Sequence, residues 1–368
     1  MSGIARKPRG VLTVNGETIA CTEIEVTLSK AHKSDSFHAS VGFNGLPKSK
    51  DVNWWSTANN IAVVITLDGT KVFDGKVDHV DHDFDGQTLS FSGRDKSGQM
   101  IDKPSTERFL NKKPHEIVQD IAARHGIPTN IDQVPLKAGK MYQIDHVNLT
   151  HRESEWTAIQ RLAERHGMTA YMTGGTLYFK NENESLPSLN ISYSPPTSAG
   201  YATGNFMTLK AKRNCMLGRP LKCKVSSWNH KEKKANETEI IEPGVGDPVE
   251  FRYNEPGLSK AQTAHQAKKH LDKNASHELT FEITIPGDAT VTPRMKLVLS
   301  GTGTAYDQEH EILNVSHHIS FDGGFRTSIS PKSKSKKRGG SSSGSSSSGQ
   351  STKTTKEAGT GTLGSNVG

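Results

Sequence analysis

Apolar and polar residues alternate through much of residues 10–100, the period of strands that bury one face. Gly10–Val14 and Thr18–Leu28 read as two strands with Asn15-Gly16 between them. Ile61–Leu67 (IAVVITL) is a buried-type strand, and Asp68-Gly69 follows it. That dipeptide suits a two-residue hairpin, whose central residues both take positive φ. Thr70–His82 continues as a long strand, Asp85-Gly86 predicts a second such turn, and Gln87–Gly93 returns to complete a three-stranded meander.

The period changes to that of helices between 101 and 189. Pro114–His125 predicts a helix with proline in its first turn, where a missing N–H is harmless, and with Ile117, Val118, Ile121 and Ala122 on its buried face. His151–His166 predicts a second, started by a capping box of Thr150 and Glu153 and buried along Trp156, Ile159, Leu162 and Ala163. Thr169–Met172 and Thr176–Lys180 then form a hairpin across Gly174-Gly175. The two helix ends repeat as IAARHGI and LAERHGM. The repeated Arg-His-Gly is read as a helix stop, with basic groups near the negative end of the dipole and glycine in the left-handed cap. His125 and His166 are therefore expected to be caps and not catalysts.

Residues 190–330 return to β structure around one helix, Ser259–Asn274, with a Ser259-x-x-Gln262 capping box and a narrow Ala261, Ala264, Leu271 stripe. Strands follow at His277–Ile285, Met295–Ser300, His310–Ser320 and Phe325–Ser330. From Pro331 the chain is Ser, Gly and Lys, too polar to offset chain entropy by burial. The expected organisation is a first β domain over 1–100, an α/β insertion with two helices over 101–189, a second β domain with one helix over 190–330 that could exchange strands with the first, and a disordered tail over 331–368.

Charge alters this picture little. The 368 residues carry +7, but 331–368 hold seven basic residues and one acid, so the rest has a net charge of only +1. A nucleic-acid-binding domain normally shows its basic excess on the folded part. No run approaches the length of a membrane span, and the first fifteen residues lack the apolar core of a secretory signal. Three cysteines, Cys21, Cys215 and Cys223, form neither a disulfide framework nor a zinc pattern and are expected to be reduced structural thiols.

Several motifs are decoys. Asp81-x-Asp83-x-Asp85-Gly86 opens like a calcium loop, but its twelfth position is Ser92 where a bidentate glutamate is needed. His79 and His82 fall on opposite faces of a strand. Gly340–Gly344 formally matches a serine-hydrolase elbow and Gly359–Gly364 a dinucleotide loop, without the strand and helix that each requires. No catalytic residue, metal ligand or cofactor site is expected.

Three blocks carry a family resemblance. Val72–Asp102 (VFDGKVDHVDHDFDGQTLSFSGRDKSGQMID) resembles the F-x-G-x-V … G-R-D-x-x-G-x-L-I-D segment of phage tail hub proteins, the late control D family. Arg152–Phe179 is similar to a block that this family shares with the VgrG spike proteins of type VI secretion. Ile285–Ser330 resembles its closing segment, with the P-G … P-x-M … L-S-G core from Pro286 to Gly301, the V-x-H-x-I strand at Val315–Ile319 and the G-G-F-x-T turn at Gly323–Thr327. The resemblance implies a mainly β fold of two antiparallel β-barrel domains, each like the tail tube protein, joined by small helix-containing α+β insertions. It implies a homotrimer that adapts a hexameric tail tube to a trimeric spike supplied by a separate polypeptide, with tape-measure and baseplate wedge proteins as further partners. It places the protein in the virion tail baseplate, assembled in the host bacterial cytoplasm.

Two other functional classes compete with this structural role. A tail-carried peptidoglycan hydrolase needs two carboxylates placed as acid and base, and no motif places them. A nucleic-acid-binding regulator lacks any helix-turn-helix pattern. The residues that touch tube or spike are not legible in the sequence.

Overall fold

The structure is a computed structural model and describes residues 8–30, 33–104, 112–134, 153–181, 185–197, 200–229, 233–242, 246–255, 257–258, 260–334 and 352–353. In chain order the elements are β1 Gly10–Val14, β2 Glu17–Ile19, β3 Glu23–Ser29, β4 Ser36–Gly42, α1 Val52–Thr57, β5 Ala62–Leu67, β6 Thr70–Asp83, β7 Thr88–Asp95, α2 Ser97–Ile101, α3 Pro114–Arg124, β8 Thr129–Ile131, α4 Glu155–Arg165, β9 Met168–Thr173 and β10 Thr176–Asn181. They continue as β11 Ser188–Ser194, β12 Thr203–Gly204, β13 Thr208–Arg213, β14 Leu221–Asn229, β15 Lys234–Ile241, β16 Val249–Asn254, α5 Lys260–Ala275, β17 Leu279–Pro286, β18 Lys296–Ser300, β19 Glu309–Ser320, β20 Gly324–Ser333 and β21 Thr352–Lys353. The protein is mainly β, with few helices. Two compact units emerge, one of residues 1–209, 282–301 and 309–331, the other of 210–281, 302–308 and 332–368.

The first unit is built on a large mixed sheet whose strand order runs β12-β11-β18-β19-β3-β4-β7-β6-β5-β1-β2, with β20 also pairing β19. Every neighbour is antiparallel along β18-β19-β3-β4-β7-β6-β5-β1-β2, while β11 and β18 are parallel. β3, β4 and β7 bury every second residue, so Val26, Phe37, Ala39, Val41, Leu89 and Phe91 line one face. Trp55 of α1 covers that face, with its ring 4.6 Å from Phe91. The turns at Asn15-Gly16, Asp68-Gly69 and Gly174-Gly175 have both central residues at positive φ, as their sequences predict.

Four expectations are corrected. The strand expected over Thr18–Leu28 breaks after Ile19: β2 pairs back on β1, and β3 leaves to lie between β4 and β19. The turn at Asp85-Gly86 is a four-residue loop with positive φ at Gln87, and Asp83 Oδ1 takes the Gly86 N–H at 2.9 Å. The second helix starts at Glu155, capped by Ser154, whose Oγ takes the Thr157 N–H at 3.2 Å. Glu153 pairs instead with Arg161 at 2.7 Å, and Thr150 lies outside the described residues.

The α/β part of this unit has a three-stranded sheet, β8-β10-β9, against α3 and α4. Ile117, Val118, Ile121, Trp156, Ile159 and Leu162 share its core with Leu177 and Phe179, so both expected helical faces are buried. The proline at the start of α3 is where the sequence places it, and Glu116 accepts the Lys113 N–H at 2.8 Å.

The second unit holds a four-stranded sheet, β16-β14-β15-β21, with α5 on one face. Thr263, Ala267, Leu271 and Ala275 recur every fourth residue and are buried. This stripe corrects the expected one: Ala264 is only half-buried, while Ser259 and the side chains of Ala261 and Gln262 lie outside the description. The outer face carries a balanced charge ladder, including Lys222–Glu239 at 3.0 Å and Lys224–Glu237 at 2.7 Å. β20 runs past the expected end at Ser330, with Lys332 buried and Gln308 Nε2 donating to the Lys334 carbonyl at 2.8 Å. Of the expected disordered tail, residues 331–334 thus belong to the fold and Thr352–Lys353 pairs with β15, while 335–351 and 354–368 lie outside the described residues.

Between β6 and β7 the backbones approach too closely for a side chain. A Cβ on Gly93 would stand 1.9 Å from the Lys76 carbonyl oxygen. Gly93→Ala is expected to lose about 3 kcal/mol in urea denaturation through enforced backbone displacement. Unchanged stability would show that the two strands separate at little cost.

Candidate functional site

Two clusters of motif residues stand out, and each is an internal latch. In the first, β6 bulges at Asp78, since Val77 faces Gly93 while His79 faces Ser92. A bulge leaves one residue unpaired and re-aims its side chain. Arg94 exploits this: its Nε donates to Asp78 at 2.6 Å and its Nη2 to Asp102 at 2.8 Å, just beyond α2. The guanidinium holds the Asp102 carboxyl below its usual range, while the two carboxylates raise Arg94 further. One forked cation thus ties the bulge to the end of α2. Gly98 leaves the Arg94 side chain room, and Met100 is fully buried.

Asp95, the next residue, is buried. Its Oδ1 accepts from Ser97 Oγ at 2.5 Å, Ser34 Oγ at 2.8 Å and the Ser97 N–H at 3.0 Å. Its N–H donates to the Asp35 carbonyl, and the Asp35 carboxyl takes the Ser29 N–H at 2.8 Å. Burial, and then the neighbouring Asp95 charge, push Asp35 well above the usual carboxylate range; burial raises Asp95 as well.

The second latch joins residues 286–327. His317 of β19 is fully buried between Thr327 of β20 and the Val291 carbonyl, each 3.1 Å from a ring nitrogen. Its Nε2 donates to that carbonyl, leaving Nδ1 to accept from the Thr327 hydroxyl. Desolvation outweighs these bonds and pushes the imidazole down to about 4, so it is neutral at pH 7. The Asp288 N–H donates to Thr327 Oγ1 at 2.9 Å. Phe325 packs where a Cβ on Gly287 would stand, 2.1 Å from the ring. The Pro-Gly, His and Gly-Gly-Phe-x-Thr elements are thus one contact set, which sequence spacing alone did not reveal.

The decoys take ordinary places. His125 ends α3 as expected, yet its Nε2 also lies 2.5 Å from Glu155 Oε2, and Arg124 lies 3.3 Å from Oε1 of that buried carboxylate. It therefore links α3 to α4 and is more than a dipole cap. His166 ends α4, its N–H bonded to the Leu162 and Ala163 carbonyls. Among the described residues no group of three His, Cys, Asp or Glu side chains could hold a metal ion. Gly340–Gly344 and Gly359–Gly364 lie outside the description. The three cysteines are free; burial pushes the Cys21 thiol up to about 12 and Cys223 to about 11, while Cys215 is exposed. Both latches fix backbone geometry; the His317 latch is buried, while the Arg94 latch leaves Asp102 partly open to solvent.

Comparison with known proteins agrees with this reading. A family profile described as phage tail baseplate hub matches residues 57–323, a span that takes in Asp78, Arg94 and Asp102 of the first latch and Gly287, Asp288, Val291 and His317 of the second, but not Phe325 or Thr327. No curated protein matches the sequence. Among solved structures, the 43 kDa tail protein of prophage MuSo2 from Shewanella oneidensis superposes with a TM-score of 0.69 at 16% identity, covering 88% of this chain and 98% of that one. A tail protein from Neisseria meningitidis MC58 gives 0.70 at 16% identity, with 89% and 97% covered. An Escherichia coli component of the type VI secretion system, c3393, gives 0.53 at 9% identity, with 90% and 79% covered. At these identities the likeness is one of fold.

Two outcomes follow from these buried contacts. His317 titrates near 4 when folded and near 6.5 when unfolded, so between those values the unfolded chain binds the extra proton. Its contribution is complete above pH 6.5 and falls as pH drops to 4, by roughly 3 kcal/mol in all. Asp35 and Asp95, with raised carboxyls, act in the opposite sense, so the measurement is a difference. Urea midpoints from pH 7 to 4 should fall more steeply for the wild type than for His317→Gln, and equal slopes would exclude the buried imidazole as the cause. His125→Ala should cost about 1–2 kcal/mol, because it strips one hydrogen-bond partner from buried Glu155, which keeps Arg124. A loss of only a few tenths would reduce His125 to a cap.

Proposed function

The chain belongs to the phage tail baseplate hub family, and on that premise we propose that it works as a homotrimeric adaptor between a hexameric tail tube and a trimeric spike. Its role is structural, as a hub component of the tail baseplate that assembles with other tail components. The observation that carries the reading is the family match over 57–323, which takes in Arg94, Asp102 and His317. Those residues are spent on internal latches, as suits a scaffold. Tape-measure and wedge proteins complete the proposed partners. Assembly in the host cytoplasm is proposed on the same ground, and no catalytic step is assigned.

One rim of the large sheet suits such a role. Strand register puts the β6–β7 loop and the β19–β20 turn at the same end of the sheet. Phe84, at the first tip, is 69% exposed and packs edge-on against Phe43; Phe321, at the second, is 93% exposed. Aromatic side chains are enriched at protein interfaces, and two exposed ones on the same rim offer a partner apolar surface to cover.

Native mass spectrometry and sedimentation of the full chain are expected to give a trimer, alone or with tube and spike proteins added. The double variant Phe84→Ser/Phe321→Ser should keep its melting temperature within about 2 °C, because neither ring is buried, while assembly weakens at least tenfold. A protein that stays monomeric with both partners present would sink the adaptor reading. A double variant that assembles normally would remove this rim from it.

A further inference from the structure

Within the first unit a cavity of about 300 Å³ opens between the large sheet and β9. Neither latch nor the adaptor role uses it. Its walls are mainly apolar, from Leu28, Val72, Met172 and Pro293. The lining also carries hydroxyls, from Ser29, Thr70, Thr173, Thr290 and Thr292, and three charged groups. Lys71 already has a carboxylate, since its Nζ lies 2.6 Å from Asp74. Arg294 is different. Its guanidinium stacks over the Tyr171 ring at 4.3 Å, and its Nε is buried with no hydrogen-bond partner among the described residues. Asp35 also lines the cavity, and its Oδ1 is taken by the Ser29 N–H.

A buried guanidinium N–H without an acceptor is costly, because it has lost water and gained nothing in exchange. Charged donors bind anionic acceptors most strongly, and the planar fork of arginine matches the two oxygens of a carboxylate. The apolar walls favour hydrocarbon, and the volume sits at the lower end of cavities that take small molecules, about 300–1,000 Å³. From this geometry we propose that the cavity is a binding site for a monocarboxylate on a compact apolar body, with the carboxylate on Arg294 and the hydrocarbon among Leu28, Val72, Met172 and Pro293. A dianion such as phosphate would bring a second charge that no further unpaired cation in the lining meets. Burial and the neighbouring Asp95 charge shift the Asp35 carboxyl upward, which lessens its repulsion of a monoanion. The carboxylate could belong to a free small acid or to the end of a polypeptide.

Calorimetric titration of the full-length protein distinguishes these sources. The probes are 3-phenylpropionate, 3-phenylpropionamide, and a tetrapeptide ending in phenylalanine with its terminus free or amidated. One-to-one binding of the free acid, with the amide about tenfold weaker or worse, supports a small-molecule site; binding of the free-terminus peptide alone supports a polypeptide terminus. Arg294→Gln should weaken the binding probe at least tenfold. Because that variant alters a packed side chain, Thr70→Trp serves as a second test. Thr70 is exposed and lines the cavity, so the indole should block entry and abolish binding with the melting temperature unchanged. Equal affinity for acid and amide, undiminished binding by Arg294→Gln, or no binding of either free carboxylate would overturn the proposal.

Discussion

The pairing of β3 with β19 is the constraint on which the first unit depends. Seven residue pairs, from Asn314↔Ser29 to Ser320↔Glu23, stitch the end of the folded chain to its beginning. Side chains reinforce the seam: Ser316 donates to Glu25 at 2.7 Å across 291 residues, His318 meets Glu23 at 2.6 Å, and Lys30 pairs with Glu311. Without it, the β4-β7-β6-β5-β1-β2 side would lose its connection to β18, β11 and β20. Closing so long a loop costs entropy that grows only slowly with length, but that cost precedes any gain from the contacts. The sheet is therefore completed late, once nearly the whole chain is available.

The latches make this seam specific. A one-residue slip of a strand would turn its buried side chains to the other face. On the β6–β7 side, slippage is blocked by the Asp78 bulge and by Gly93, which fits only opposite Lys76 and Val77. On the β19–β20 side it is blocked by His317, whose two ring nitrogens are satisfied only when Thr327 and Val291 stand where they do. Polar groups set the register there, and apolar burial supplies the bulk of the driving force.

Local signals in the sequence carried far, and long-range partners did not. The Asp68-Gly69 and Gly174-Gly175 turns, the proline start of α3 and the stripes of α3 and α4 were legible because each depends on residues within one turn of itself. Asp85-Gly86 misled because its loop has four residues and places the left-handed conformation on Gln87. The break at Ala20–Thr22 was hidden because both flanking stretches alternate correctly, and only the presence of two different partners separates β2 from β3. The site was less legible. Gly93, Arg94, Asp102, His317 and Thr327 could be picked out as a familiar string, but Asp78 becomes Arg94's partner only through a bulge. Arg294 had no signal at all, since its meaning lies in Tyr171 more than a hundred residues away and in an acceptor that is missing.

The edges of the large sheet carry a consequence for crowding. β2 is three residues long and β12 only two, while β13, which pairs β17 on its inner side, sets Lys210, Lys212 and Arg213 among its six residues. Long, flat, uncharged edges template open-ended strand addition, the route to fibrils. Short or lysine-bearing edges refuse it. The protein can therefore reach high local concentration without growing sheets from chain to chain, and its contacts with other molecules fall to side chains at loops and rims, which can be finite in number and close on themselves.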